Sequence, residues 1–198
     1  MLESIFSEKI QVLRNKKFYE LTDEERGLLL SAEILEDSKQ ENVISLRDYC
    51  FFRWDKPSYL LKIIKPYLNE IDKELRKRGF VRVSKYTWRK FVLTINKKQL
   101  KRLAKELNLS KDEAYLLSVA YELLKITVPY KKDWKGYNIV DGFRIMDIFQ
   151  KLEYKGTINK KDIKYIGRKL MKYEEQIRGL GLDFERVKKT VQEILQET

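Results

Sequence analysis

The sequence predicts a mainly α protein: one or more helical domains with at most one short β-hairpin, near residues 80–95. Three observations carry that expectation. Apolar residues recur at 3–4 spacing through most of the 198 residues, the pattern of helices with one buried stripe. Helix punctuation, such as Thr22 followed by Glu25 and a first-turn Pro57, brackets these runs. Strict alternation of apolar and polar residues is confined to Phe80–Ile95. With 43% hydrophobic residues the chain has the material for a core, and its length suits one domain or two small ones.

Residues 2–19 place Ile5, Phe6, Ile10, Val12, Leu13 and Phe18 at helical spacing, and the Thr22/Glu25 capping box opens a second helix through Leu28, Leu29, Ala32 and Leu35. Ser38–Asn42 breaks the pattern. Leu46–Trp54 is a short apolar-aromatic element holding Cys50, which reads as a small buried hydrophobe. Pro57 suits the first turn of the next helix, and Pro66 kinks it or starts another through Leu68, Ile71 and Leu75, ended by Gly79.

Phe80–Ile95 reads as a hairpin with its turn near Ser84–Thr87, turning Phe91, Leu93 and Ile95 to the core and Lys90, Val92 and Thr94 outward. Tyr86 and Trp88 are the aromatics expected to be exposed. Leu100–Leu107 is a short helix, Asn108-Leu109-Ser110 a turn, and Ala114–Ile126 a buried helix stopped by Pro129. Tyr130–Asn138 reads as a loop. Ile139–Leu152, Asp162–Ile177 and Phe184–Leu195 read as helices, with Thr157-Ile158-Asn159 capping the second of these. The expected organisation is an N-terminal helical region over 1–79, a basic strand-helix-helix module over 80–127 and a C-terminal helical region over 128–198. A single domain, or two helical repeats of about ninety residues, are the alternatives: at an offset of 88, Leu21–Glu25 aligns with Leu109–Glu113, and Leu28, Leu29, Ala32 and Leu35 with Leu116, Leu117, Ala120 and Leu123.

The net charge is +12, and it is uneven. Residues 1–50 carry −4 and residues 51–100 carry +10. Lys73–Lys105 holds thirteen basic residues against Glu74 alone, which equals the whole excess. Such a field attracts polyanions. Its bland counterpart is a surface laced with ion pairs, whose acids would come from the N-terminal segment (Glu20, Asp23, Glu24, Glu25, Glu33, Glu36, Asp37). A smaller basic-aromatic patch over residues 151–172 carries +6; such a helix face is commonly solvated surface, and contact with nucleic acid is the alternative.

Absences narrow the chemistry. With no His and one Cys, the chain has no Ser-His-Asp or Cys-His pair, no zinc finger, no intrachain disulfide and no imidazole-centred metal site. Neither GxxxxGK[ST] nor GxGxxG occurs, and the acids form no cluster spaced for metal-dependent phosphodiester cleavage. The expectation is therefore not an enzyme, with no cofactor and no metal. No window approaches the ~20 apolar residues of a membrane helix, and residues 1–10 lack a basic region followed by an apolar stretch, so the reading is a cytoplasmic chain without a membrane role.

Trp88–Leu124 resembles a ribbon-helix-helix module, through the strand Lys90–Ile95, the helix Leu100–Leu107, the turn Asn108-Leu109-Ser110 and a second helix from Asp112. That family's groove-facing positions would fall on Lys90, Val92 and Thr94. Leu103–Ser110 is similar to the second helix and turn of a helix-turn-helix, and the ~90-residue period is similar to the cyclin-like repeats of archaeal transcription factor B. These resemblances imply DNA binding.

The sequence thus points to a non-enzymatic nucleic-acid-binding protein, DNA ahead of RNA, in transcription or replication, held mainly by phosphate contacts. The expected contact residues are Lys77, Arg78, Arg82, Lys85, Tyr86, Trp88, Arg89, Lys90, Lys97, Lys98, Lys101 and Arg102, with base readout falling to Arg89, Lys90 or Thr94. The alternative is a helical scaffold or adaptor subunit of a replication, transcription or RNA-guided complex. It would use Tyr49, Phe51, Phe52 and Trp54 against a protein partner, and a second copy of the chain is a further possible partner.

Overall fold

Helices dominate the computed structural model, which describes residues 7–53, 56–127 and 135–196. The chain divides into two compact units, Met1–Phe91 and Val92–Thr198.

The first unit begins with α1 (Ser7–Arg14), a 3-10 turn at Phe18–Glu20 and α2 (Asp23–Asp37). The α2 capping box forms as its sequence implies: the Glu25 N–H donates to Thr22 Oγ1 at 3.2 Å, and the Thr22 N–H to the Glu25 carboxylate at 2.9 Å. Then follow β1 (Val43–Ser45), α3 (Leu46–Arg53), α4 (Pro57–Ile64), a 3-10 turn at Lys65–Tyr67, α5 (Leu68–Lys77), β2 (Phe80–Ser84) and β3 (Thr87–Lys90). Pro57 sits in the first turn of α4, and Pro66 in the 3-10 turn that separates α4 from α5. Gly79, at φ +83°, makes the left-handed step into β2.

The sheet is antiparallel with order β1-β3-β2. The hairpin turns at Lys85-Tyr86 as expected. Two features differ from the sequence reading. Val43–Ser45 adds a third strand, Ile44 opposite Trp88, and the ladder ends at Lys90 rather than Ile95, so 91–96 runs without strand pairing. The unit's core joins Leu30, Ile34, Leu46, Leu60, Ile64, Ile71, Leu75, Phe80 and Trp88.

Among its described residues the second unit has helices and no strand: α6 (Lys97–Glu106), α7 (Lys111–Ile126), α8 (Ile139–Lys155), α9 (Lys160–Leu170), α10 (Glu174–Gly179) and α11 (Phe184–Gln196). Side-chain caps start four of them, at Asn96, Ser110, Asn138 and Asn159. The helix expected over Asp162–Ile177 is two helices. Tight turns at Lys172 and Tyr173, whose N–H groups donate to Lys169 O and Leu170 O, redirect the chain; this brings the Tyr173 hydroxyl to the buried Asp141 carboxylate, 2.9 Å away. The loop read over Tyr130–Asn138 lies partly outside the described residues. Its remainder, 135–138, is not helical. No helix among the described residues is long and apolar enough to cross a membrane.

Candidate nucleic-acid interface

Each helix of the basic stretch buries an apolar stripe, and that fixes where its cations go. On α6, Leu100, Leu103 and Ala104 are buried. Lys98, Lys101, Arg102 and Lys105 are exposed away from that stripe, and Lys97 is exposed at its edge. Lys97 pairs with Glu122 at 2.7 Å, and Arg102 with Glu106 at 3.4 Å. The Glu122 carboxylate raises the Lys97 ammonium pKa by hydrogen bonding and charge, and its own pKa is lowered chiefly by the bond from Lys97. Lys98, Lys101 and Lys105 form no ion pair among the described residues.

In the first unit an exposed stripe runs at 3–4 spacing along α4 and α5: Lys62, Lys65, Asn69, Lys73 and Arg76. Leu60, Ile63, Ile64, Ile71 and Leu75 point the other way, into the core. None of the four cations is in an ion pair among the described residues. The sequence reading left this stripe out of the site. Its spacing was present in the sequence, but Pro66 suggested a break, and Lys62 and Lys65 precede the densest run of charge.

The expected contact residues separate into three groups. Lys77, Lys85, Lys97, Lys98, Lys101 and Arg102 are exposed. Lys77 is engaged with Glu74 at 2.7 Å, a bond that lowers the Glu74 pKa, while Lys85 lies over the Tyr86 ring at 4.7 Å at the tip of the hairpin. Arg78, Arg82, Tyr86, Arg89 and Lys90 are half-buried, and Arg78, Arg82, Tyr86 and Lys90 are turned to internal tasks. Arg78 donates to Leu35 O and, at 2.6 Å, to Ser38 Oγ, closing the C-terminal end of α2. Arg82 meets Asp72 at 3.4 Å, donates to Lys85 O at 2.9 Å and lies over the Trp88 ring at 5.3 Å. Lys90 donates to Ser38 O at 3.1 Å and covers the Phe80 ring. Tyr86 packs against the core.

Trp88 forms the third group and corrects the sequence reading. It is 1% exposed, and its indole N–H donates to Asp72 at 2.6 Å, so it is a core residue and offers no face for stacking. Of the candidate base readers, Lys90 is turned inward and the Thr94 hydroxyl meets the Glu153 carboxylate. Tyr49, named for partner contact, is half-buried and donates to Asp37 at 2.5 Å; the side chains of Phe51, Phe52 and Trp54 lie outside the described residues.

In the turn after α6, Asn108 takes φ +52° and Ser110 caps α7. The helix that follows buries Leu116, Leu117, Val119, Ala120, Tyr121, Leu123 and Leu124. Arg186 of α11 touches its first turn, pairing with Asp112 at 2.8 Å and lying 4.2 Å from the Tyr115 ring. An acidic groove of about 460 Å³, lined by Glu33, Asp37, Glu41 and Asp48, runs beside β1 in the first unit. Comparison with protein families, with curated proteins and with solved structures finds no match.

Proposed function

We propose that the chain is a non-enzymatic nucleic-acid-binding protein, DNA ahead of RNA, serving transcription or replication in the cytoplasm and held mainly by phosphate contacts. One observation carries the reading: two sets of cations outside ion pairs are ordered along helix faces. Lys62, Lys65, Lys73 and Arg76 follow α4–α5, and Lys98, Lys101 and Lys105 follow α6. Phosphates would supply the counter-charge that neighbouring acids do not. The Lys85 turn would add a further phosphate contact.

The test is fluorescence anisotropy of the chain against duplex DNA, single-stranded DNA and duplex RNA at two salt concentrations. It includes two variants, Lys65→Gln/Lys73→Gln/Arg76→Gln and Lys98→Gln/Lys101→Gln/Lys105→Gln. Salt-sensitive binding that weakens about tenfold or more in a variant whose melting is unchanged is the expected result. Absence of binding to all three ligands at low salt would remove the reading. The acidic groove beside β1, an edge strand, favours a second reading, an adaptor that takes a basic protein segment; in that case the charge variants would leave partner capture intact.

A further inference from the structure

We propose a further phosphate-binding face in the second unit, formed by Arg144 of α8 with Lys161, Lys164 and Arg168 of α9, whose ligand is the sugar-phosphate backbone of the nucleic acid bound by the same chain. The inference rests on the nucleic-acid reading above and adds a contact surface to it.

Helical phase sets the α9 side of this face. Ile163, Ile166, Gly167 and Leu170 are buried, which leaves Lys161, Lys164, Tyr165 and Arg168 together on the outer side. Arg144 comes from α8, where its neighbours Phe143 and Ile145 are buried and it is exposed. Its guanidinium lies 4.8 Å from the centre of the Tyr165 ring. Lys169 Nζ approaches the same ring at 5.2 Å and is held in turn by Asp141 at 2.5 Å. Asp141 is itself fixed by the Tyr173 hydroxyl and the Asn138 amide. A chain of contacts therefore runs from a buried carboxylate through Lys169 and Tyr165 to Arg144. A guanidinium laid on an aromatic ring keeps its N–H edge open for a bidentate phosphate contact, and less side-chain freedom is lost when that contact forms.

The arginines of this unit distinguish the face from an ordinary solvated one. Arg102 pairs with Glu106, Arg178 with Glu174 and Glu185, and Arg186 with Asp112. Arg144 and Arg168 form no ion pair among the described residues, nor do Lys161 and Lys164. Of the nearby acids, Asp162 is engaged by Lys151 at 2.8 Å and Asp141 by Lys169, and Asp147, exposed one turn along α8 from Arg144, is likewise not free of partners. Four like charges on one side, one of them stacked in place, form an electrostatic footprint for a polyanion.

The experiment titrates a labelled DNA duplex of arbitrary sequence with the full chain over a range of salt. The variants are Arg144→Gln, Arg144→Gln/Lys161→Gln/Arg168→Gln, Tyr165→Phe and Tyr165→Leu. The triple variant should reduce the steepness of log affinity against log salt by about 2–3, and Arg144→Gln alone by about 1, since each phosphate contact contributes about 0.9. Tyr165→Phe keeps the ring and should bind like the wild type. Tyr165→Leu should weaken binding several-fold, because Arg144 loses its seat. Wild-type affinity and slope in the triple variant, with the wild type itself binding, would overturn this inference and leave the nucleic-acid reading standing. A wild type that binds no duplex would overturn both.

Discussion

Trp88 stands in the middle of the densest run of cations, yet its side chain belongs to the core. The reason lies sixteen residues away, where Asp72 accepts its indole N–H, and sequence spacing could not reveal that partnership. Asp72 also sits one position before the basic window, so a count of charge along the chain passed over the acid that engages Arg82. Trp88→Ala should therefore cost about 3–5 kcal/mol of stability, measured by urea denaturation, and lose nucleic-acid affinity only as far as the chain unfolds. In the second unit, burial raises the Asp141 pKa, but the bonds from Lys169, Tyr173 and Asn138 outweigh it, and the carboxyl is held below its ordinary value. Burial also pushes the Tyr173 hydroxyl up to about 12. A lowered folded-state pKa stabilises the fold above the ordinary carboxylate pKa of about 4, and that contribution is lost as pH falls through the folded value. Asp141→Asn should cost about 3 kcal/mol at neutral pH and flatten the acid limb of stability against pH. An unchanged acid limb would contradict the role given to this pair.

Helices with strong local signals were legible at the scale of elements. The Thr22/Glu25 box, first-turn Pro57, the turn at Asn108 and the Lys85-Tyr86 hairpin all stand where the sequence places them. Val43–Ser45 was not legible, because three residues show no alternation and the strand exists only through pairing with β3. The break after Leu170 was likewise invisible, since the apolar period continues through it to the buried Ile177. Two helical glycines give a contrast. A Cβ on Gly27 would lie 2.1 Å from the Ile63 carbonyl oxygen, so α2 and α4 approach at a point where only glycine fits. Gly27→Ala should destabilise by about 1–3 kcal/mol despite its better helix propensity. Gly179, with nothing within 4 Å of a built Cβ, should accept Ala with a change of about 0.5 kcal/mol or less. Thermal melting of both variants checks the pair.

Charge at the scale of the whole molecule was legible in amount and not in arrangement. The +12 net charge is plain in the sequence, and so is its concentration in Lys73–Lys105. That window, however, crosses the boundary between the two compact units at residues 91–92. Part of it is consumed internally, by Arg78, Arg82 and Lys90. Several cations that stay outside ion pairs follow helix faces, including those of α4 and α9, which lie outside the window. The measurement that tests this account most directly is the affinity of the wild-type chain for duplex DNA across a series of salt concentrations. Neutralisation of about six phosphates predicts a log-log slope of roughly −5. Tight binding that ignores salt, or no binding at the lowest salt, would contradict it.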